Sequence, residues 1–165
     1  MLEPMNALLL DTNVILDYYI VDRPGHAHAH RVIDEAIMHD YKVLYAAPSI
    51  KDVFYLMQMT LKHKERERTG SISERDAAAI SASTWACIEH LGEIATAVGA
   101  DESDVWIARK LRSAHSDLED NLIIAAAMRA KATYLVTNDE QLIKHAPVAA
   151  LTPADAIAML DAQIN

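Results

Sequence analysis

Two stretches near opposite ends of the chain stop in the same way: Leu8-Leu9-Leu10-Asp11-Thr12-Asn13 and Tyr134-Leu135-Val136-Thr137-Asn138-Asp139. Each is a short apolar run closed by Asp, Thr and Asn, the pattern of a buried parallel strand that delivers polar side chains to its carboxyl edge. Ligands of open α/β sheets bind outside that edge, so two strands remote in sequence but alike in their endings point to one shared acidic site. Further strand-like runs lie at Val43 to Ala46, Ile94 to Val98 and Val148 to Leu151, beside Ala7 to Leu10 and Thr133 to Val136, with helical patterns between them. This alternation predicts a three-layer α/β/α domain with a mainly parallel central sheet and right-handed crossovers.

Helix starts are marked by Ser or Thr three residues ahead of an acid, the capping-box pattern. Ser49 with Asp52, Ser73 with Asp76, Ser116 with Glu119, and Thr152 with Asp155 all fit it. In the helix after Ser73, the positions Ala77, Ile80, Thr84, Ile88 and Leu91 form one packing face. Between Lys62 and Ser73 the polar, charged sequence with Thr69-Gly70-Ser71 predicts a helix end and an exposed loop. The 165 residues, 52% of them apolar, suit a single domain over 1–165. One cysteine, Cys87, allows no internal disulfide, and the start lacks a basic region leading into a long apolar segment, so a cytoplasmic protein without membrane contact is expected. The net charge of −9 argues against a nonspecific nucleic-acid coat.

Four acids fall where a parallel sheet gathers side chains: Asp11 after the first strand, Asp52 and Asp120 in first turns of helices, and Asp139 after the fourth strand. Taken singly, Asp52 reads equally as a capping-box acid and Asp139 as a helix cap. Asp11 does not reduce so easily, because an unpaired Asp at the end of a buried strand is costly. Carboxylates about 4 Å apart repel by roughly 4 kcal/mol at an effective dielectric of about 20, so a cluster of them calls for a counter-charge. All-oxygen donors without thiolates select Mg²⁺ or Mn²⁺, and metal-activated water attacking a phosphodiester is the chemistry that follows.

Three segments, Leu9-Leu10-Asp11-Thr12-Asn13-Val14, Glu119-Asp120-Asn121-Leu122-Ile123-Ile124-Ala125-Ala126-Ala127 and Tyr134 to Asp139, resemble in order the principal motifs of the PIN domain nucleases, which include the VapC-type toxins of bacterial toxin–antitoxin pairs. The resemblance spans nearly the whole chain. It implies a Mg²⁺- or Mn²⁺-dependent endoribonuclease, with an RNA substrate, a cognate antitoxin protein and a homodimeric state. Asp11, Asp120 and Asp139 would hold metal, Asp52 would be the second acid, one methylene shorter than the Glu of many relatives, and Thr12, Asn13 and Thr137 would form the polar shell. Asp117 reads as a helix cap.

Other phosphoryl-transfer folds match less well. A haloacid-dehalogenase type of phosphatase requires a second Asp where Asn13 stands, and no glycine-rich phosphate loop or dinucleotide fingerprint occurs. A nuclease-like fold serving only as an RNA- or protein-binding module is the alternative, disfavoured by the four retained acids. His26, His28 and His30 read as an exposed helix start rather than a metal site, Cys87 as a packing residue, and Trp85 and Trp106 as core or interface residues. Tyr18, Tyr19, Phe54, Tyr55 and Met57 exceed what one small core absorbs and favour a homodimer.

Overall fold

The structure, a computed structural model, describes residues 6–163. In chain order it runs β1 (Ala7–Leu10), α1 (Thr12–Tyr19), α2 (His26–Met38), β2 (Lys42–Ala46), α3 (Ser49–Thr69), α4 (Glu74–Ile94), β3 (Thr96–Val98), α5 (Glu102–Leu111), α6 (Leu118–Arg129), β4 (Tyr134–Val136), α7 (Glu140–His145), β5 (Ala150–Leu151) and α8 (Pro153–Ala162). The strands form one sheet in the order β3-β2-β1-β4-β5, and every neighbouring pair is parallel. The expected three-layer α/β/α architecture is the observed one.

Alternation along β1 divides the core. Leu8 and Leu10 join the cluster beneath α1, α2, α3, α4 and α8, built on Val14, Ile33, Val53, Leu91 and Leu160. Ala7 and Leu9 face the opposite layer with Ile123, Ala127 and Leu142 of α6 and α7. A strand covered on both faces has no polar side to show, which is why β1 is apolar throughout its length. From β1 the chain builds outward through β2 to β3, then returns to the other side of β1 for β4 and β5. The reversal opens a crevice beyond the carboxyl ends of β1 and β4, the place such sheets reserve for ligands.

The strand ends differ from expectation at the margins. Ile94 closes α4, whose cap residue Ala95 donates its N–H to the Leu91 carbonyl, so β3 begins only at Thr96. The last strand shrinks to Ala150–Leu151, the length that pairs with Leu135 and Val136. Helix starts divide as well. Ser73 with Asp76 forms the expected box, and Thr152 accepts from the Asp155 N–H. Ser49, by contrast, already lies inside α3, after Pro48 with φ −61°, and caps nothing. At α6 the cap is Asp117 rather than Ser116.

An unforeseen box at Asp101 and Asp104 opens α5. Asp104, 2% exposed, pairs with Arg129 at the far end of α6, and Arg129 also bonds Asp101 at 2.8 Å. These contacts clamp α5 antiparallel to α6. The Lys62 to Ser73 segment is the exposed end of α3, terminated by Gly70 at φ 82°, a left-handed position that favours glycine. Trp85 and Trp106 are 55% and 61% exposed, which removes the core reading for both. Met57 is 2% exposed and so belongs to the core rather than to a surplus apolar surface. Among the described residues no helix is long and apolar enough to cross a membrane.

Candidate active site

Asp11 is the residue between β1 and α1, and its N–H donates to the Val136 carbonyl of β4 at 2.9 Å. That bond extends the β1–β4 ladder by one step and fixes Asp11 at the switch point. Its side chain is only 3% exposed. The Thr137 hydroxyl, itself fully buried at the end of β4, donates to Asp11 Oδ2 at 2.8 Å, and the Thr137 Oγ1 accepts the Asp139 N–H at 3.0 Å. One threonine thereby ties the first acid to the backbone of the fourth.

Asp120 lies in the first turn of α6, half-buried, with its N–H donating to Asp117 Oδ1 at 3.1 Å. The cap sets the start of the helix and hence the position of Asp120. His115 adds a support unmarked by any motif: its Nδ1 accepts the Asp117 N–H at 3.3 Å, and its Nε2 stands 3.4 Å from Asp120 Oδ2. With Nδ1 accepting, the proton of the neutral ring belongs on Nε2. Asn121 holds this turn by donating to the His115 carbonyl at 2.8 Å.

Burial raises both principal acids. Asp11 is pushed from 3.8 to about 6 by desolvation, against the lowering effect of Thr137 and of the Thr12 backbone, with Glu119 and Asp139 adding repulsion. Asp120 is likewise pushed to about 6, first by burial, then by Asp117, Asp11 and Asp139, while His115 opposes the rise. Asp11, Asp120 and Asp139 therefore feel one another's charge. Asp139 is also the cap of α7, accepting the N–H groups of Gln141 at 2.7 Å and Leu142 at 3.3 Å through Oδ1.

Asp52 lies in the first turn of α3. It makes an ion pair with Lys51 at 2.7 Å and shares a cavity of about 440 Å³ with Lys51, Asp117 and Glu119. Glu119, not singled out from sequence as a site acid, accepts the Thr12 hydroxyl at 3.2 Å and repels Asp11. Its place next to Asp120 in a helix first turn was the only signal of it. Thr12 is buried, whereas Asn13 is exposed and accepts from Arg23 at 3.2 Å.

The model of the PIN domain family matches residues 7–141. The chain belongs to the PIN domain family. Among solved structures, this PIN domain is similar to that of FitAcB from Neisseria gonorrhoeae, with TM-score 0.61, 18% identity, and 89% of this chain and 98% of that one covered. PAE2754 from Pyrobaculum aerophilum follows at TM-score 0.60 and 17% identity, covering 96% and 97%. VapC20 of Mycobacterium tuberculosis, described as a toxin cleaving the sarcin-ricin loop, aligns at TM-score 0.53 and 14% identity, covering 81% and 90%. At such identities the likeness concerns the fold. No curated protein sequence matches the chain.

The residues suit a hard divalent cation in the chemistry of their donors. Asp11 is nearly buried, takes one side-chain hydrogen bond, and has the carboxylates of Glu119 and Asp139 as charge neighbours. Among the described residues no group of three or more acids, histidines or cysteines is placed so as to hold a metal ion. The donors of Asp11, Asp120 and Asp139 are carboxylate oxygens alone, the chemistry of a hard cation that keeps part of its water shell.

Proposed function

We propose that this PIN domain is a metal-dependent endoribonuclease whose site is built on Asp11, Asp120 and Asp139, with Thr12, Asn13 and Thr137 as the polar shell. The observation that carries the reading is the burial of Asp11 at the switch point beside two further acids, with both Asp11 and Asp120 raised toward 6. Perturbed carboxylates gathered in a crevice mark functional sites more often than structural ones. Asp11, Asp120 and Asp139 would hold Mg²⁺ or Mn²⁺, which when bound supplies charge stabilisation and a water acidic enough to attack phosphorus.

The chain's own residues supply placement. Thr137 orients Asp11 and the Asp139 backbone together. His115 and the Asp117 cap orient Asp120. Asp52, with Lys51 as its ion-pair partner, is proposed as the second acid of the site.

A toxin role with a cognate antitoxin, and a homodimeric state, complete the proposal. Neighbours at this fold level include VapBC2 of Rickettsia felis, described as bound to a DNA fragment from its promoter (TM-score 0.57, 12% identity, covering 88% of this chain and 98% of that one). The exposed Tyr55, Met59 and Trp85 on α3 and α4, at 67%, 61% and 55%, supply apolar surface for such contacts.

The test is incubation of the purified chain with RNA, in chelator and in Mg²⁺ or Mn²⁺. Cleavage that appears only with metal and leaves 5′-phosphate and 3′-hydroxyl ends supports the reading. Metal binding without cleavage of any RNA or of its cellular targets would leave a binding module instead.

A further inference from the structure

A cavity of about 560 Å³, separate in its lining from the Lys51 cavity, is bounded by residues that include Asn13, Asp17, Arg23, His28 and Asp139. Its floor is a built polar network. Asp17 of α1 is 4% exposed, and sequence patterning gives no reason for a buried acid there. Its Oδ1 accepts Arg23 Nε at 2.5 Å, and its Oδ2 accepts Asn138 Nδ2 at 3.0 Å. Arg23 Nη2 continues to Asn13 Oδ1 at 3.2 Å. His26 completes the ring through a 2.9 Å contact from Nδ1 to the Asp17 carbonyl.

Gly25 belongs to the same design. A Cβ at this position would fall 2.0 Å from Asp17 Oδ2, so the turn between α1 and α2 can close over the carboxylate only without a side chain. The buried Asp17 therefore fixes the plane of the Arg23 guanidinium, while Arg23 stays 32% exposed at the cavity wall. Nη1 has no hydrogen-bond partner among the described residues. Both Asn13 and Asn138, which flank the acids in sequence, are tied to the network.

Resting on the nuclease reading above, we propose that Arg23 is the contact for a backbone phosphate of the substrate strand next to the scissile one, with His28 on the same wall and Asp17 as the positioning residue. A planar guanidinium held on one edge and free on another is suited to a phosphate oxygen. Asp17 fixes the plane of the guanidinium at its far edge, and at contact distance the cation still neutralises the phosphate oxygen that it hydrogen-bonds. In a chain of net charge −9, a strand must be located by fixed cations of this kind.

The experiment is binding of a short fluorescein-labelled single-stranded RNA, and of the DNA of the same sequence, in Ca²⁺ over a series of KCl concentrations. Strand integrity is checked on gels, and KM and kcat are measured in Mn²⁺. Arg23→Ala should weaken RNA binding about tenfold and reduce the slope of log affinity against log salt by about 0.7, one single-strand phosphate contact. It should raise KM more than it lowers kcat. Because Arg23→Ala leaves Asp17 buried without its partner, the double variant Asp17→Asn with Arg23→Gln removes both charges together and should show the same loss of slope with a native melting profile. Asp17→Asn alone should weaken binding while Arg23 is retained, as expected of a positioning residue. DNA bound equally well identifies the phosphate as the shared feature and supports the subsite.

Two results overturn it. If the double variant folds and keeps the wild-type affinity, salt slope and KM, the cavity takes no phosphate and the nuclease reading stands without it. If the wild-type chain binds no strand at all, the subsite is absent too. A chain that binds RNA with the Arg23 dependence but cleaves nothing keeps the subsite and loses the nuclease reading.

Discussion

The Thr137 hydroxyl bridges two acids of the site, donating to Asp11 Oδ2 at 2.8 Å and accepting the Asp139 N–H at 3.0 Å. Replacing it with the near-isosteric valine removes both bonds without changing the packing volume. Thr137→Val should cost about 1–3 kcal/mol, the penalty for leaving buried polar groups unsatisfied. It should also push Asp11 further upward, since this hydrogen bond holds the carboxyl down, and weaken Mn²⁺ binding. Urea unfolding measures the stability loss, and calorimetric titration the weakened Mn²⁺ binding.

Asp11 and Asp120 make stability depend on pH in the direction opposite to most paired carboxylates. Both are raised from 3.8 to about 6 in the folded state, so between these values the folded chain binds protons that the unfolded chain has lost. Their contribution therefore falls as pH rises from about 4 through about 6 and is fully unfavourable above that. For buried Asp11 the effect is on the order of 2–3 kcal/mol. In chelator, Asp11→Asn should raise the melting temperature at pH 8 and leave it nearly unchanged at pH 4. Wild-type protein should gain more from added Mn²⁺ at pH 8 than at pH 5.

Arg129 tests the frame behind the site. It reaches from the end of α6 to buried Asp104 and exposed Asp101 at the start of α5. Arg129→Met leaves a buried carboxylate without its partner, an imbalance that costs about 3–5 kcal/mol. Thermal unfolding should register the loss. Adding Asp104→Asn should recover part of it, and a single variant as stable as wild type would show that the pair carries no such weight.

Much of this arrangement was legible because strand endings are local in sequence. Asp11, Thr137 and Asp139 sit one to three residues beyond short apolar runs, so finding β1 and β4 located them. Asp120 followed from its place ahead of the Leu122-Ile123-Ile124 run. Asp52 follows by the same logic, whereas its ion pair with Lys51 and the start of α3 at Ser49 are not visible in a pattern of spacings. The supporting contacts were harder still. His115, Glu119, Asp17 and Arg23 act across loops, and Asp17 lies at a helical position where the Arg23 ion pair and the docking of Asn138, 121 residues away, make a buried acid tolerable. Trp85 and Trp106 show the limit of composition: aromatic content does not say whether a helix face is covered.

The most direct test of the central claim is the rate of Mn²⁺-dependent RNA cleavage by wild-type, Asp11→Asn and Asp120→Asn proteins purified in parallel, each shown by circular dichroism to be folded. Both variants should lose more than about a hundredfold in rate, beyond the ~10–100-fold typical of outer-shell partners, while remaining at least as stable as wild type at pH 8 in chelator. Undiminished cleavage by both variants would contradict the account, since the buried acids would then be structural and the activity would arise elsewhere.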